Sequence, residues 1–302
     1  MVKLIQEVLD SILDQHMDWL TGKPGGVRAK LNGVDLSGLT IKNRSLEFAE
    51  LTGTKFDKSA LINVNFNNSS IWESRFVNAE IIGCSFEYTN LLRTNFNKSK
   101  IQDTNFRHTN IMCSRFKETE IKMATFSFCD LLGTTMINSK IQSSNIENSN
   151  CRQVDFSGAS IVNSAIIKSE LSFSIMVDTK IEDTKLYDLH TNGIEGQDII
   201  NVMVNLGKKK INLTYWKDLE IWTQGYLQGN LNDLRMFLEL VCSNEEHIVP
   251  IYNEVLGLIL NLSNNYNSSN GEKIILNNIL NNLDNRTNNN NNGSSNTLNW
   301  DI

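Results

Sequence analysis

Residues 29–188 carry an apolar residue at every fifth position, and the register never breaks. A small residue, Ala, Ser, Thr or Cys, stands two positions before almost every one of these apolar residues. Only Leu39 and Arg44 are too large for this pattern. Side chains two apart lie on the same face of a strand, whereas a repeated step of five fits neither a long strand nor an α-helix. The spacing therefore predicts very short strands separated by corners, in a chain that winds around its own apolar axis as a solenoid. The thirty-two apolar positions are Leu31, Leu36, Ile41, Leu46, Leu51, Phe56, Leu61, Phe66, Ile71, Phe76, Ile81, Phe86, Leu91, Phe96, Ile101, Phe106, Ile111, Phe116, Ile121, Phe126, Leu131, Met136, Ile141, Ile146, Cys151, Phe156, Ile161, Ile166, Leu171, Met176, Ile181 and Leu186.

Single units of this repeat resemble those of the pentapeptide-repeat family. They include AELTG (49–53), TNFNK (94–98), TNFRH (104–108) and VDFSG (154–158). The resemblance implies an all-β solenoid, a right-handed quadrilateral β-helix with four five-residue faces to a coil and about eight coils in all. From Phe56 to Phe126 every tenth residue is Phe. With four faces to a coil, we expect these rings to stack on two opposite faces.

The segments that flank the repeats predict the domain organisation. Residues 1–26 have apolar side chains at helical spacing and then a Gly- and Pro-rich stop, so we expect a helix that caps the first open coil. The β-helix is assigned to residues 27–190. From Gly193 onward the apolar spacing favours an α-helical module over 191–285, with one helix at 197–206, a second from Asn212 to Tyr226 and further helices beyond Leu231. Residues 286–302 are Asn-rich and are predicted to be disordered.

Composition restricts the partners and the compartment. The net charge is −6 and the pI is near 5.4, which argues against direct binding of nucleic acid or of an anionic membrane surface. No signal peptide and no apolar run of membrane-spanning length is evident, so we expect a cytoplasmic protein, or one delivered into a host cell by a signal-peptide-independent route. Of five cysteines, Cys84, Cys129 and Cys151 fall at inward positions, Cys113 falls outside, and Cys242 lies in the C-terminal module.

Candidate catalytic chemistry is missing from the sequence. The four histidines are His16, His108, His190 and His247, and none has a cysteine, serine or carboxylate at metal-binding or catalytic spacing. We therefore expect no enzyme activity, no metal and no cofactor.

The informative positions are the outward ones. With four faces to a coil, residues twenty apart lie on adjacent coils and form a column along the solenoid. Two of the outward columns are apolar or aromatic, although a β-helix needs only residues compatible with solvent there. These columns are predicted to form one patch, and a contiguous apolar patch usually marks an interface. Three covers for this patch remain open: the chain's own C-terminal helices with Trp216, Trp222 and Tyr226, a second copy, or a foreign protein. The patch consists of Trp72, Leu92, Met112 and Leu132 in one column and Tyr88, His108 and Phe128 in the other.

Charge bears on which family role is expected. Some pentapeptide-repeat proteins resemble duplex DNA and bind type II topoisomerases such as gyrase, giving quinolone resistance. The repeats are also similar to those of host-directed bacterial effectors. A DNA mimic needs an acidic stripe, but residues 29–189 contain 18 Lys and Arg against 18 Asp and Glu. The interpretation preferred here is a non-enzymatic interaction scaffold or effector, and the topoisomerase-directed DNA mimic is the alternative. One face even tends basic, the one centred on Phe56, Phe76, Phe96 and Phe116. It carries Lys55, Lys58, Arg75, Lys98, Arg115 and Lys117 against Asp57 and Glu118.

Overall fold

A computed structural model of the chain describes residues 1–206 and 209–230, together with 232–234, 236 and 257. The chain divides into two compact units, residues 1–197 and 198–302. Residues 237–302, for which further helices and the disordered Asn-rich tail were predicted and which include Cys242 and His247, lie outside the described residues apart from residue 257.

The first unit is a parallel β-solenoid preceded by one helix, as the repeat predicts. Helix α1 spans Gln6–Leu20. Every strand is three residues long, and each pairs in parallel with the strand twenty residues further on. Two ladders result, one of eight strands and one of four. The eight-stranded ladder is β1 (Thr40–Lys42), β2 (Ala60–Ile62), β3 (Glu80–Ile82), β4 (Lys100–Gln102), β5 (Glu120–Lys122), β7 (Lys140–Gln142), β9 (Ser160–Val162) and β11 (Lys180–Glu182), and the four-stranded ladder is β6 (Thr125–Ser127), β8 (Asn145–Glu147), β10 (Ala165–Ile167) and β12 (Lys185–Tyr187).

The twenty-residue register confirms four five-residue faces to a turn, and seven full turns separate β1 from β11. Isolated parallel bridges continue the same register on the other faces as far as Ile175 and Glu195. The corners are made by one position of each unit, two residues after the apolar centre, where φ is close to +55°. Gly and Asn are the commonest residues there, because they tolerate the left-handed region best.

The phenylalanines form two stacks, as predicted. On one face the rings of Phe76 and Phe96 are 4.8 Å apart and nearly parallel, and on the opposite face those of Phe86 and Phe106 are 5.1 Å apart. Rings of the two stacks meet edge to face, at 6.4 Å between Phe86 and Phe96. All of these side chains are fully buried, so the axis of the solenoid is a dry aromatic and aliphatic core.

The small residues of the repeat are needed for hydrogen bonding as well as for space. The hydroxyl of Thr54 donates to the carbonyl of Leu31 at 2.8 Å, and the Ser114 hydroxyl donates to that of Leu91 at 2.7 Å. In each case the acceptor is an apolar centre on the coil before. A buried hydroxyl without a partner is costly, so such contacts explain why most of the Ser and Thr residues are accepted inside the core. The hydroxyls of Ser99, Ser139 and Ser174 are exceptions, because they are buried without a hydrogen-bond partner.

The N-terminal segment caps the first coil, which confirms the expected role of the helix. The side-chain amide of Gln6 donates to the carbonyl of Thr40 at 2.8 Å and accepts the N–H of the same residue at 3.0 Å. The N–H of Ala29 is accepted by Nδ1 of His16 at 3.1 Å. Arg44, too large for an inward small position, reaches out to Asp14 at 2.7 Å. The first coil therefore does not present an open strand edge.

The second unit differs from the sequence prediction. The helices expected over 197–206 and from Asn212 to Tyr226 are wrong, because these residues form an antiparallel sheet. The strands are β13 (Ile199–Leu206), β14 (Lys209–Trp216), β15 (Ile221–Gln224) and β16 (Leu227–Gly229), in sequence order, with a 3₁₀ turn at Lys217–Leu219.

Local preferences account for this error. The strands β13 to β15 are rich in Ile, Val, Thr, Tyr and Trp, whose branched or aromatic side chains favour extended backbone. The helical spacing of the apolar residues had no such support. Gly225, at φ +53°, and Tyr226 form the two-residue turn of a hairpin, so Tyr226 lies at a tip instead of on a helix face.

Beyond the sheet, Asn230 accepts the N–H groups of Asn232 and Asp233, and residues 232–234 and 236 are helical, where the next helix was expected to begin.

Candidate interaction surface

The corner column of the predicted patch is a continuous stack of rings. The His108 ring lies 4.7 Å from that of Tyr88, with 1° between the planes, and 4.9 Å from that of Phe128, with 12° between them. Tyr88 is 58% exposed and Phe128 is 47% exposed. This column is therefore an aromatic ladder on the outside of the solenoid, and the prediction that His108 lies between the other two rings is confirmed.

The second column of the predicted patch lies four residues after the corner column on each coil. The N–H of Glu73 donates to the carbonyl of Leu92 at 2.9 Å, and those of Arg93 and Cys113 donate to the carbonyls of Met112 and Leu132 on successive coils. Trp72 begins this column and is 37% exposed, and the three aliphatic side chains are half-buried. The structure thus brings all seven predicted residues into two neighbouring columns. We call Trp72, Leu92, Met112, Leu132, Tyr88, His108 and Phe128 the outer ladder.

Between the two columns runs a polar line. The Asn110 side-chain amide donates to the Oδ1 of Asn90 at 3.3 Å, and that of Asn150 donates to Asp130 at 3.0 Å. These side chains are half-buried or exposed, and the Oδ1 of each accepts the backbone N–H two residues further on. The outer ladder therefore combines two apolar edges with a central strip that can pair with polar groups.

Arginines complete the rim, and sequence reasoning did not include them. The guanidinium of Arg107 lies over the Phe128 ring at 5.4 Å from its centre, and Arg93 pairs with Glu73 at 3.4 Å. An apolar centre with a charged and polar rim is the usual composition of a protein interface. The signal was present in the sequence, since Arg107 directly precedes His108 and the repeat places both on one coil.

Two other faces lack the charge pattern of a DNA mimic. In the eight-stranded ladder Glu80, Lys100, Glu120 and Lys140 follow one another in register, so the signs alternate along the solenoid. The face that was expected to tend basic is largely neutralised. Four of its six basic side chains have a carboxylate within 4 Å; they are Lys55, Arg75, Lys98 and Lys117.

The described residues contain no group of three or more His, Cys, Asp or Glu placed to hold a metal ion. None of the helices among them is long and apolar enough to cross a bilayer. Burial raises the pKa of the Cys84 thiol to about 11 and that of Cys129 to about 12, so both stay protonated and inert. Cys113 is exposed, as predicted.

The geometry defines a parallel β-solenoid with four-faced coils, and comparison with known proteins agrees. The family model for pentapeptide repeats matches residues 29–68 and 74–111, with eight copies. The matched residues are pentapeptide repeats, and the same register continues in the structure well beyond them. A comparison with curated proteins found no match.

Several solved structures are similar to part of the chain. HetL, a pentapeptide repeat protein involved in heterocyst differentiation regulation from the cyanobacterium Nostoc sp. strain PCC 7120, is 11% identical over 59% of this chain and 90% of its own, with a TM-score of 0.30. Trypsin-treated QnrB1, a plasmid-mediated fluoroquinolone resistance protein, is 16% identical over 55% of this chain and 91% of its own, with a TM-score of 0.31. Rfr23, from the cyanobacterium Cyanothece 51142, is 15% identical over 56% and 89%, with a TM-score of 0.17.

Proposed function

We propose that this protein is a non-enzymatic interaction scaffold whose solenoid binds a protein partner through the outer ladder. The observation that carries the proposal is the exposed ring stack of Tyr88, His108 and Phe128 beside a column of Trp, Leu and Met. A soluble solenoid does not need these side chains on its outside. Their concentration on one side of four successive coils is typical of a docking surface.

The backbone strengthens this argument. Tyr88, His108 and Phe128 all have φ of 55–57°, in the left-handed region where Gly and Asn are favoured. A residue other than Gly, Asn or Asp costs about 1–2 kcal/mol in that region, and one stacked aromatic pair returns about 0.5–1.5 kcal/mol. Stacking therefore offsets the strain without making the rings a clear gain in stability. Selection for binding gives the better reason for three rings at these corners.

The alternative role, a gyrase-directed DNA mimic, has less support. Such a protein needs a continuous acidic stripe to imitate phosphate groups. Here the signs alternate along the eight-stranded ladder, and many acidic side chains are paired with a basic neighbour. A gyrase supercoiling assay tests this alternative directly, and we expect no inhibition and no protection from a quinolone.

The proposal is tested by placing charge in the centre of the outer ladder. The variant carries Leu92→Lys with Met112→Lys, and the matched control carries Ile62→Lys with Ile82→Lys. The control residues are also outward, half-buried and paired on adjacent coils, but on another face. We expect the ladder variant to lose partner capture, or self-association, while its melting temperature stays close to that of the control.

Two other outcomes are informative. If the C-terminal module covers the outer ladder, limited proteolysis will cut residues 193–260 faster in the ladder variant than in the control. If the two variants behave alike in capture, oligomeric state and proteolysis, the outer ladder is not a docking surface and the proposal is wrong.

A further inference from the structure

We propose that the occupant of the outer ladder is a second copy of the same chain, in an antiparallel dimer whose two-fold axis crosses the coil of His108 and Met112. This inference rests on the proposed function, because it names the partner of the same surface. In a dimer of this symmetry the same patch is used twice, so the patch must be complementary to itself. The order of the side chains along the columns meets that requirement.

The symmetry fixes which residues meet. An axis that lies across the solenoid reverses the order of the coils and leaves each column opposite itself. A residue one coil before His108 then faces the residue one coil after His108 in the other copy. The residues of each column must therefore be compatible with the residues of the same column taken in reverse order.

Both apolar columns satisfy this condition. In the corner column, Tyr88 faces Phe128 of the other copy, and His108 faces itself. In the second column, Leu92 faces Leu132 of the other copy, and Met112 faces itself. Rings meet rings and aliphatic side chains meet aliphatic side chains over three coils, with the flexible Met at the axis.

The polar strip between them is complementary in the same register. Asn90 faces Asp130 of the other copy, so a side-chain amide donor meets a carboxylate acceptor. Asn110 faces itself, and an amide can both donate to and accept from its equivalent. One coil further out, Trp72 faces Arg152. The guanidinium of Arg152 lies over the Phe173 ring of its own chain, 5.7 Å from the ring centre, so a cation–π contact with Trp72 requires it to change partner.

Other arrangements of two copies are less favourable. A parallel dimer would place every residue of the polar strip opposite itself, so that Asp130 would face Asp130, and like charges repel at close range. Moving the antiparallel axis by one coil toward the N-terminus would place Arg93 opposite Arg93. Moving it by half a coil would place Phe128 opposite Asn68. The charges and the polar residues thus select one register.

The size of this surface sets the expected strength. Five coils at a spacing of about 4.8 Å make a contact about 24 Å long and one face of the solenoid wide. Such a contact is small beside the interfaces that bury about 800 Å² on each partner. We therefore expect a dimer that dissociates on dilution. Analytical ultracentrifugation over a concentration series is the first measurement, and the expected result is a reversible shift from dimer to monomer.

Paired substitutions test the register. Leu92→Lys and Leu132→Glu, each alone, place a charge opposite an aliphatic side chain and should weaken the dimer by tenfold or more. Combined in one chain, the two substituted positions face each other across the axis, so the double variant should recover at least part of the lost affinity. A double variant that is weaker than both single variants overturns the antiparallel register. Melting curves of all three variants confirm that the fold is retained.

Chemical crosslinking gives an independent test. Cys113 is exposed on the coil of the axis and is predicted to face Cys113 of the other copy. In a Cys242→Ser background, a short bismaleimide should therefore crosslink the dimer through Cys113. The matched control carries Gln153→Cys with Cys113→Ser. It moves the thiol two coils along the same corner, where it faces Glu73, and should not crosslink. Equal crosslinking of both variants overturns the proposed axis.

The two proposals can fail separately. A monomer at all concentrations, combined with a foreign partner that is lost in the Leu92→Lys and Met112→Lys variant, overturns the dimer and leaves the docking surface in place. A monomer in which this variant changes nothing overturns both proposals.

Discussion

The ring of His108 lies 4.7 Å from the ring of Tyr88, parallel to within 1°, although the two residues are twenty positions apart in the chain. The separation equals the usual spacing of paired strands. Corner side chains in one column therefore lie one strand spacing apart, and rings placed at successive positions of a column stack. A solenoid of this kind can present an ordered row of rings to solvent without a pocket or a loop to hold them.

The first prediction concerns the backbone cost of such corners. Phe48 lies in the same column at φ +60° and is exposed, but it has no stacked ring above it because the next corner residue is Asn68. Phe48→Asn should therefore stabilise the protein by about 1 kcal/mol, since Asn tolerates this conformation better. The check is thermal or urea unfolding monitored by circular dichroism.

The matched comparison is His108→Asn. Its backbone angle is similar, at φ +55°, but the substitution removes ring contacts on both sides. We expect no stabilisation, because the lost stacking offsets the relief of strain. A gain for His108→Asn as large as that for Phe48→Asn would show that the stack contributes nothing.

The second prediction concerns the core. Phe96 is fully buried between the parallel rings of Phe76 and Phe116 and meets two more rings edge to face. Phe96→Ala should cost about 3–5 kcal/mol, because the solenoid cannot close around the cavity without breaking its register. Lys122→Ala, on the exposed side of β5, is the control and should change the free energy of unfolding by less than about 0.5 kcal/mol. Comparable losses in the two variants would contradict the continuous core.

The first unit could be predicted from the sequence almost entirely, and the physical reason is its periodicity. Each turn repeats one local solution, so the spacing of Leu, Ile and Phe determined the inward set, and the resemblance to pentapeptide repeats supplied the twenty-residue register. The position of His108 between Tyr88 and Phe128 followed from the same twenty-residue count. The left-handed backbone of the corners was not foreseen, because the residues there vary from Gly to Phe and carry no single sequence signal.

The second unit was predicted wrongly, and the reason is also physical. Without a repeat, apolar residues such as Tyr215 and Trp222 fit helical spacing by chance. Residue preferences were the better guide, since the segment is rich in β-branched and aromatic side chains. Its turn residue Gly225 marked a hairpin and not the end of a helix. For the candidate site, the two columns and the position of Arg107 beside them were predictable, but the contact of Arg107 with the Phe128 ring was not, because it depends on rotamers.

The third prediction concerns the capped edge. Gln6 closes the first strand by exchanging two hydrogen bonds with Thr40. Gln6→Ala should lower stability by about 1–2 kcal/mol and leave an unpaired edge that can recruit other chains. Light scattering during a thermal ramp should show earlier aggregation than in the control Glu7→Ala, which changes an exposed residue of the same turn. Identical scattering curves would indicate that α1 does not protect the edge through this contact.

The last prediction is a dependence of stability on pH that originates at His16. This residue is fully buried in the cap, its ring is stacked 5.5 Å from that of Trp19, and its Nδ1 accepts the N–H of Ala29. The imidazole must be neutral to accept that hydrogen bond. Burial lowers the pKa of His16 below its ordinary value, with a smaller lowering from Arg28, while the Glu47 backbone and charge act in the opposite direction.

The sign of the effect follows from the lowered pKa. Above the pKa of the unfolded chain, about 6.5 for histidine, His16 is neutral in both states and its contribution to stability is complete. Below that value the unfolded chain takes up a proton that the folded chain resists, so stability falls until the pH reaches the folded pKa. His16→Gln keeps a side-chain acceptor for Ala29 but does not titrate. The measurement is the melting temperature of both proteins from pH 7.5 to pH 5. As the pH falls, the melting temperature of the wild type should decrease relative to that of His16→Gln. A constant difference between the two melting temperatures across this range would show that His16 does not make the stability of the cap depend on pH.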